Sequence, residues 1–240
     1  MTVFQLLGGE ERRTYSSVAL KLVDSLTGGK LTGKVQTRVE IDDAGSWRPT
    51  EGKPIITASG VLIFPELGFR GNPAIHAVTR YRFSIESEYY RPEYQHANDG
   101  KVVLVHPYNH DTTLADLPGL PRAPKDLLML PSTAYPFPGY IPVVRGLVLD
   151  QATNRPVENA KISASRNNPG SNPLTADPVQ EVLTDKRGAF SLPVPEAAQG
   201  VPLQLINLDI NADDVRGGRA GTGLIALPDD QFTNLTILIS

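Results

Sequence analysis

The chain has 240 residues, of which 40% are hydrophobic and 20% charged, so it is a folded protein of one large domain or two ordinary ones and not a disordered chain. Its formal net charge is −3 and it has no basic stripe, which argues against nucleic acid as a partner. No segment approaches the roughly 18 consecutive apolar residues of a transmembrane helix, so we expect no membrane insertion.

The first residues and the cysteine count bear on location. The chain begins MTVFQLLGGEERR, a short apolar run with no cationic region before it, which does not fit a secretory signal. The absence of cysteine excludes disulfides and thiolate metal sites, and it fits the cytoplasm. We therefore expect the protein in the cytoplasm, or in a particle assembled there.

Short strands are expected throughout, because the chain holds 21 glycines and 21 prolines. We predict strands at VALKLVD, KVQTRVE, GVLIFPEL, YRFSIES, VVLV and LLML in the first half, and at VRGLVLD, AKISAS, GAFSLPVP, LQLINLDIN, GLIAL and LTILI in the second. In YRFSIES, Tyr81, Phe83 and Ile85 alternate with polar residues, which predicts one buried face. Phe64 and Phe190 are predicted to be buried as well. No stretch has the pattern of an amphipathic helix.

These strands form a repeat. Asp24 ends the first strand of the first half as Asp150 does in the second, 126 positions later, and Gly60 recurs as Gly188 after 128 positions. Two matches at nearly one offset predict a duplicated domain. The predicted fold is therefore all-β, with two tandem antiparallel β-sandwiches of transthyretin-like or immunoglobulin-like type.

The second half carries a more specific pattern, V-x-G-x-V-x-D-x-x-T-x-x-P-V-x-x-A-x-I followed by T-D-x-x-G-x-F. Its residues are Val144, Gly146, Val148, Asp150, Thr153, Pro156, Val157, Ala160, Ile162, Thr184, Asp185, Gly188 and Phe190. The pattern resembles the carboxypeptidase regulatory-like domain, a transthyretin-like sandwich, and the resemblance implies a non-catalytic accessory module. The first half is a looser copy, with Leu20 in place of Gly146 and Thr57 or Ala58 near the position of Asp185.

The turns of each half follow from the same pattern. We expect the aspartate and the turn residues after it to close the first hairpin, and the glycine of T-D-x-x-G to adopt positive φ in the second. We place the N-terminal sandwich at 1–130 with an inserted loop at 106–124, the linker at 131–142, and the C-terminal carboxypeptidase regulatory-like sandwich at 143–240.

The linker reads PSTAYPFPGYIP, and its four prolines predict an extended, stiff spacer. Tyr135, Phe137 and Tyr140 either wedge between the two domains or form a docking surface. We favour the wedge, because apolar rings in short linkers usually find a neighbour that covers them. A Pro-Phe-Pro linker entering such a domain also resembles accessory proteins of phage-tail-like contractile injection systems.

Candidate chemistry is sparse. His96, His106, His110 and Asp111 could form a metal site, but the sequence HPYNHD favours a loop, where histidines four residues apart do not converge as they do on a helix. The hydroxyisourate hydrolases and intradiol dioxygenases share transthyretin-like folds, and the motifs Tyr-Arg-Gly-Ser and H-x-H that mark them are absent. We therefore expect no enzyme activity, no cofactor and no metal.

The remaining candidates are interaction surfaces. The insertion at 106–124 contains Leu114, Leu117 and Leu120, which either fold back on the first domain or contact a partner. Together with Tyr135, Phe137 and Tyr140 they form the predicted protein-interaction set.

The leading hypothesis from the sequence is a non-catalytic structural or adaptor subunit that assembles with protein partners or with further copies of itself. One alternative is a carbohydrate- or surface-binding module, for which Trp47 is the one candidate platform. Another is a metal-dependent enzyme that uses the region of His96, His106 and His110.

Overall fold

A computed structural model describes residues 2–7, 10–15, 18–65, 67, 78–93, 100–105, 124–166, 180–194, 206–214, 218–227 and 234–240. Over these ranges the chain is all strand, turn and coil, as the all-β prediction requires, and it holds no helix fit to cross a membrane. The strands are β1 Thr2–Leu7, β2 Glu10–Tyr15, β3 Ala19–Asp24, β4 Val35–Asp43, β5 Ser46–Pro49, β6 Ile55–Ile56, β7 Val61–Ile63, β8 Thr79–Ser87, β9 Tyr90–Pro92, β10 Lys101–Val105, β11 Lys125–Pro131, β12 Val143–Asp150, β13 Lys161–Arg166, β14 Glu181–Leu183, β15 Ala189–Pro193, β16 Ile206–Asp214, β17 Arg219–Leu227 and β18 Asn234–Ile239.

The described strands form five sheets. Their orders are β1-β2, β10-β8-β4-β5, β6-β7-β3-β11-β9, β15-β12-β18 and β14-β13-β16-β17. The pairs are antiparallel in most of these sheets, but β18 runs parallel to β12 from Arg145↔Asn234 to Asp150↔Ile239. The parallel pair arises because β18 follows a strand of the opposite sheet, and a crossover of this kind does not fix the direction of the arriving strand.

The chain divides into two compact units. The first comprises Met1–Val23, Gly29–Glu86 and His96–Leu128, and the second comprises Asp24–Gly28, Ser87–Gln95 and Met129–Ser240. The predicted domain boundaries remain a prediction.

The core of the first unit lies between two sheets. On β8, Tyr81, Phe83 and Ile85 are buried while the residues between them are more accessible, which confirms the predicted face. The ring centroids of Phe64, just after β7, and Phe83 are 4.9 Å apart. The two sheets therefore pack face to face as a β-sandwich.

The core of the second unit is also a sandwich interior. It draws on both sheets of the unit: Val144, Val148, Val157, Ala160, Ile162, Ala164, Val182, Phe190, Leu192, Ala212, Ile237 and Ile239. Phe190 is fully buried, as predicted, and so is Phe64 in the first unit.

The strand register agrees with the predicted internal repeat at one pair of positions in each unit. Leu20 of β3 pairs with Leu62 of β7, and the matching positions in the second unit are Gly146 of β12 and Phe190 of β15. The two pairs divide the space differently, because a Cβ added at Gly146 would lie 2.6 Å from Cζ of Phe190. Two leucines in one unit thus correspond to a glycine and a phenylalanine in the other.

The turn before these strands is also the same in both units. The hydroxyl of Thr57 accepts a hydrogen bond from the N–H of Val61 at 3.0 Å, and the Asp185 carboxylate accepts one from the N–H of Ala189 at 2.9 Å. Of the two candidates, Thr57 is therefore the counterpart of Asp185. The glycine of each turn has the predicted positive φ, 81° at position 60 and 72° at position 188.

The predicted first hairpin is wrong in both copies of the repeat. Asp24 does close a local turn, with Oδ1 accepting the Leu26 N–H at 2.8 Å, and Asp150 does so with the Thr153 N–H at 2.7 Å. However, β3 and β4 lie in different sheets, as do β12 and β13. The pattern identifies the turn and both strands but not the sheet that the second strand joins.

The core predicts a stability test. Phe190→Ala is expected to lower the free energy of unfolding by about 3–5 kcal/mol, because it leaves a cavity between the two sheets. Leu238→Ala is the matched control: its side chain is 48% exposed on β18, and its expected cost is below about 1 kcal/mol. Both are measured by denaturant melts, and near-wild-type stability of Phe190→Ala would contradict the assigned packing.

Candidate functional site

The predicted interaction residues fall into two groups. Leu114, Leu117 and Leu120 lie outside the described residues, as do His96, His106 and His110 of the metal hypothesis. Tyr135, Phe137 and Tyr140 of the linker are described and belong to the second unit. The linker can therefore be built up residue by residue.

The backbone of the linker is turned, where the sequence predicted an extended spacer. The N–H of Tyr135 donates to the Ser132 carbonyl at 3.1 Å, that of Phe137 to the Tyr135 carbonyl at 2.9 Å, and that of Ile141 to the Pro138 carbonyl at 3.0 Å. Proline restricts φ to a value that suits tight turns as well as extended chain, so proline content alone does not distinguish the two.

Tyr135 fastens the first part of the linker. Its hydroxyl donates to Oδ2 of Asp24 at 2.9 Å, and the Tyr90 hydroxyl donates to the same oxygen at 3.1 Å. The rings of Tyr135 and Tyr90 meet edge to face with centroids 5.3 Å apart, and Phe137 packs on Tyr135 at 4.8 Å. We call Asp24, Tyr90 and Tyr135 the linker anchor.

The carboxylate at the centre of the anchor is almost completely buried, with Asp24 2% exposed. A buried carboxylate needs donors for both oxygens. Backbone N–H groups of the turn serve Oδ1 and the two tyrosines serve Oδ2. Burial raises the pKa of Tyr135 well above its ordinary value near 10, and the hydrogen bond and negative charge of Asp24 raise this pKa further. Tyr135 therefore stays a protonated donor at neutral pH.

Backbone contacts hold the start of the linker as well. The N–H of Ser132 donates to the Tyr89 carbonyl at 2.9 Å, and its hydroxyl donates to the Glu88 carbonyl at 2.8 Å. The hydroxyl of Thr133 reaches Oδ2 of Asp185 at 3.5 Å. Ser132 and Thr133 are thus tied by hydrogen bonds to residues elsewhere in the second unit.

The second part of the linker presents a side chain outward. Gly139 and Tyr140 form the tip of the turn that the Ile141 N–H closes, and Tyr140 is 74% exposed. Tyrosine is enriched in protein interfaces, because its ring offers apolar area and its hydroxyl a hydrogen bond at low cost in side-chain entropy. The arrangement can present one aromatic contact from a restrained backbone.

The equivalent aspartate of the repeat has a different partner. Asp150 accepts hydrogen bonds from the N–H and the hydroxyl of Thr153, both at 2.7 Å, and its other oxygen contacts the Arg219 guanidinium. These hydrogen bonds, followed by the charge of Arg219, lower the pKa of Asp150. The repeat therefore conserves the turn function of the carboxylate, while its second oxygen binds an arginine in one copy and two tyrosines in the other.

Two other candidate sites gain little from the geometry. The guanidinium of Arg82 lies 4.7 Å from the centroid of the Trp47 ring and also pairs with Glu40 at 2.6 Å. One face of the single tryptophan is thus occupied by the protein's own side chain. Within the described ranges, no cluster of three or more metal-ligating side chains is present, and His96, His106 and His110 lie outside these ranges, so the metal hypothesis stays a prediction.

Sequence reasoning missed two of the three anchor residues. Asp24 was identified as a turn residue of the repeat, which accounts for one of its oxygens only. Tyr90 lies next to Tyr89 directly after a predicted strand, and nothing in that spacing indicates which of the two is buried. No local pattern could have found the anchor, because Tyr90 lies 66 residues from Asp24 in the sequence and Tyr135 lies 111 residues from it.

Comparison with known proteins adds no family. No family model matches the chain, and no curated protein does. Among solved structures, a streptococcal ancillary pilin is 12% identical with a TM-score of 0.28, over 93% of this chain and 62% of that one. The shaft pilin SpaA from Lactobacillus rhamnosus GG is 11% identical with a TM-score of 0.27, over 92% and 96%. The chain spans less than two thirds of the ancillary pilin, and at these TM-scores the likeness carries no argument about fold or function.

Removing the Tyr135 hydroxyl tests the anchor. Tyr135→Phe keeps the ring but takes one donor from a buried carboxylate, so we expect it to lower the free energy of unfolding by about 1–3 kcal/mol near pH 7. Because the folded state raises the pKa of Tyr135, its contribution is complete below pH ~10 and declines above that value as the unfolded tyrosine ionises. Denaturant melts from pH 7 to 11 measure this, and a difference that grows with pH would contradict the assignment.

Asp150 predicts the opposite dependence on pH. Its lowered pKa stabilises the fold above the ordinary aspartate value of about 3.9, and this stabilisation is lost as the pH falls through the folded-state pKa. We expect the stability difference between wild type and Asp150→Asn to be largest near neutral pH and to shrink below pH ~4. A difference independent of pH would show that the carboxylate charge contributes nothing.

Proposed function

We propose that the protein is a non-catalytic structural or adaptor subunit that binds a protein partner, or further copies of itself, through the linker at 131–142. The observation that carries this proposal is the contrast within the linker. Tyr135 is fastened to a buried carboxylate, while Tyr140, five residues later, projects 74% exposed from a closed turn. An exposed aromatic side chain on a restrained backbone supports a contact site, because little entropy remains to be lost on binding.

Finer parts of the proposal rest on the sequence. We assign the second half to the carboxypeptidase regulatory-like domains on its T-D-x-x-G-x-F pattern, in which Asp185 and Gly188 make the turn described above. We further propose that the subunit works in the cytoplasm or in a particle assembled there, with a phage-tail-like contractile particle as the specific candidate. The insertion at 106–124, with its three leucines, is the second proposed contact.

The alternatives have less support. A carbohydrate-binding module needs a free aromatic platform, and a ring face of Trp47 is covered by Arg82. A metal-dependent enzyme would have to use His96, His106 and His110, and metal analysis of the purified protein tests that directly.

The linker contact is tested by Tyr140→Ser. Because the side chain is exposed, we expect stability within about 0.5 kcal/mol of wild type. We expect loss of the defined oligomer in multi-angle light scattering, or of the specific partner recovered with tagged protein from its native cell. Leu238→Ser, at a site 48% exposed on β18, is the matched control and should assemble normally.

A second variant separates the two proposed contacts. It shortens 106–124 to the length of the connection at 228–234, which costs little in loop-closure entropy. If both this variant and Tyr140→Ser assemble as wild type does, the proposed function is wrong.

A further inference from the structure

The two units place one equivalent segment in different sheets. In the second unit, β14 pairs with β13 through Lys161↔Leu183 and Ile162↔Val182. The segment 128 positions earlier is 53–55, which runs into β6, and β6 pairs with β7 through Ile55↔Ile63 and Ile56↔Leu62. Both segments lead into the same glycine turn, so the difference arises before the turn.

The placement reverses the exposure of the side chains. Leu183 and Thr184 are 4% and 0% exposed in the second unit. Their counterparts Ile55 and Ile56 are 52% and 59% exposed, although isoleucine is at least as apolar as either residue it replaces. Hydrophobicity alone would therefore place this segment in the interior of both units.

The residue that differs in hydrogen-bonding capacity is Pro54, at the position of Val182. In the second unit the N–H of Thr184 donates to the Ala160 carbonyl at 3.0 Å. Hydrogen-bonded positions alternate along an antiparallel ladder, so Val182 is the next residue whose N–H faces β13. Val182 is also buried, so a proline there would leave a carbonyl of β13 without its partner inside the core.

We infer that Pro54 keeps its segment out of the sheet equivalent to the one that β14 joins in the second unit. Ile55 and Ile56 are therefore held on the edge of the other sheet. The same proline also limits that edge. Lys53 and Pro54 directly precede β6, and a charged residue and a proline are features that keep an edge strand from pairing with other chains. β6 is accordingly two residues long and ends the sheet order β6-β7-β3-β11-β9. This inference does not depend on the linker contact proposed above.

The native chain has no cysteine, so single cysteines report the placement by their rate of labelling with a maleimide. Ile55→Cys should label rapidly, and Leu183→Cys, its equivalent in the other unit, should label slowly because it requires local opening. Adding Pro54→Val to Ile55→Cys restores the missing N–H. We expect the labelling rate to fall by about tenfold or more, because the segment then takes the buried position that β14 has in the second unit.

The reciprocal change is Val182→Pro in the Leu183→Cys protein, which should raise the labelling rate by about tenfold or more while circular dichroism still shows a β-fold. A disulfide between Ile55→Cys and Ile63→Cys should form with Pro54 present and be lost with Pro54→Val, since these residues are directly opposite on β6 and β7.

The proposal is overturned if Pro54→Val leaves both the labelling rate and the disulfide unchanged, because another feature would then place the segment. It is equally overturned if Pro54→Val unfolds the first unit, since Pro54 would then be required for folding and would not select between two placements.

Discussion

The position of Tyr135 in the linker depends on a buried carboxylate that must be given hydrogen-bond donors. Asp24 closes the turn after the first strand with one oxygen, and the second oxygen would be a costly unsatisfied acceptor without Tyr90 and Tyr135. Tyr135 can reach it only if the chain turns sharply after Ser132, which the Tyr135 N–H bond to the Ser132 carbonyl achieves. The need to satisfy one acceptor thus sets the path of the segment.

The two units place strand pairs at positions related by the predicted repeat, but they fill those positions with different side chains. A pair of leucines in one register position corresponds to a glycine and a phenylalanine in the other, so one large ring on one strand stands where two medium side chains share the position in the first unit. A substitution that removes a backbone hydrogen-bond donor, unlike one that changes side-chain size, changes the path of the backbone. A proline cannot occupy a ladder position that needs a donor, and the segment after it joins another sheet.

Sequence periodicity predicted the faces of the strands well, because alternation is a property of a single strand. Tyr81, Phe83 and Ile85 are an example, and the glycine turns at 60 and 188 follow from a local need for positive φ. Neighbour relations are not local. The parallel pairing of β18 and the crossing from β3 to β4 depend on how sheets pack, and one sequence carries little information about that. The contact of Tyr90 with Asp24 joins residues 66 apart, which no spacing rule connects.

Because the linker backbone is restrained, its exposed tyrosine can bind a partner with a small loss of conformational entropy. A tyrosine on a flexible tether loses backbone and side-chain entropy when it binds, and that loss offsets most of what its buried area contributes. In this chain the backbone is closed into a turn at Pro138–Ile141 and fastened upstream through Tyr135. Tyr140 is therefore already close to one orientation before a partner binds. A contact made by few residues can then be specific without a large interface, provided that the anchor upstream remains intact.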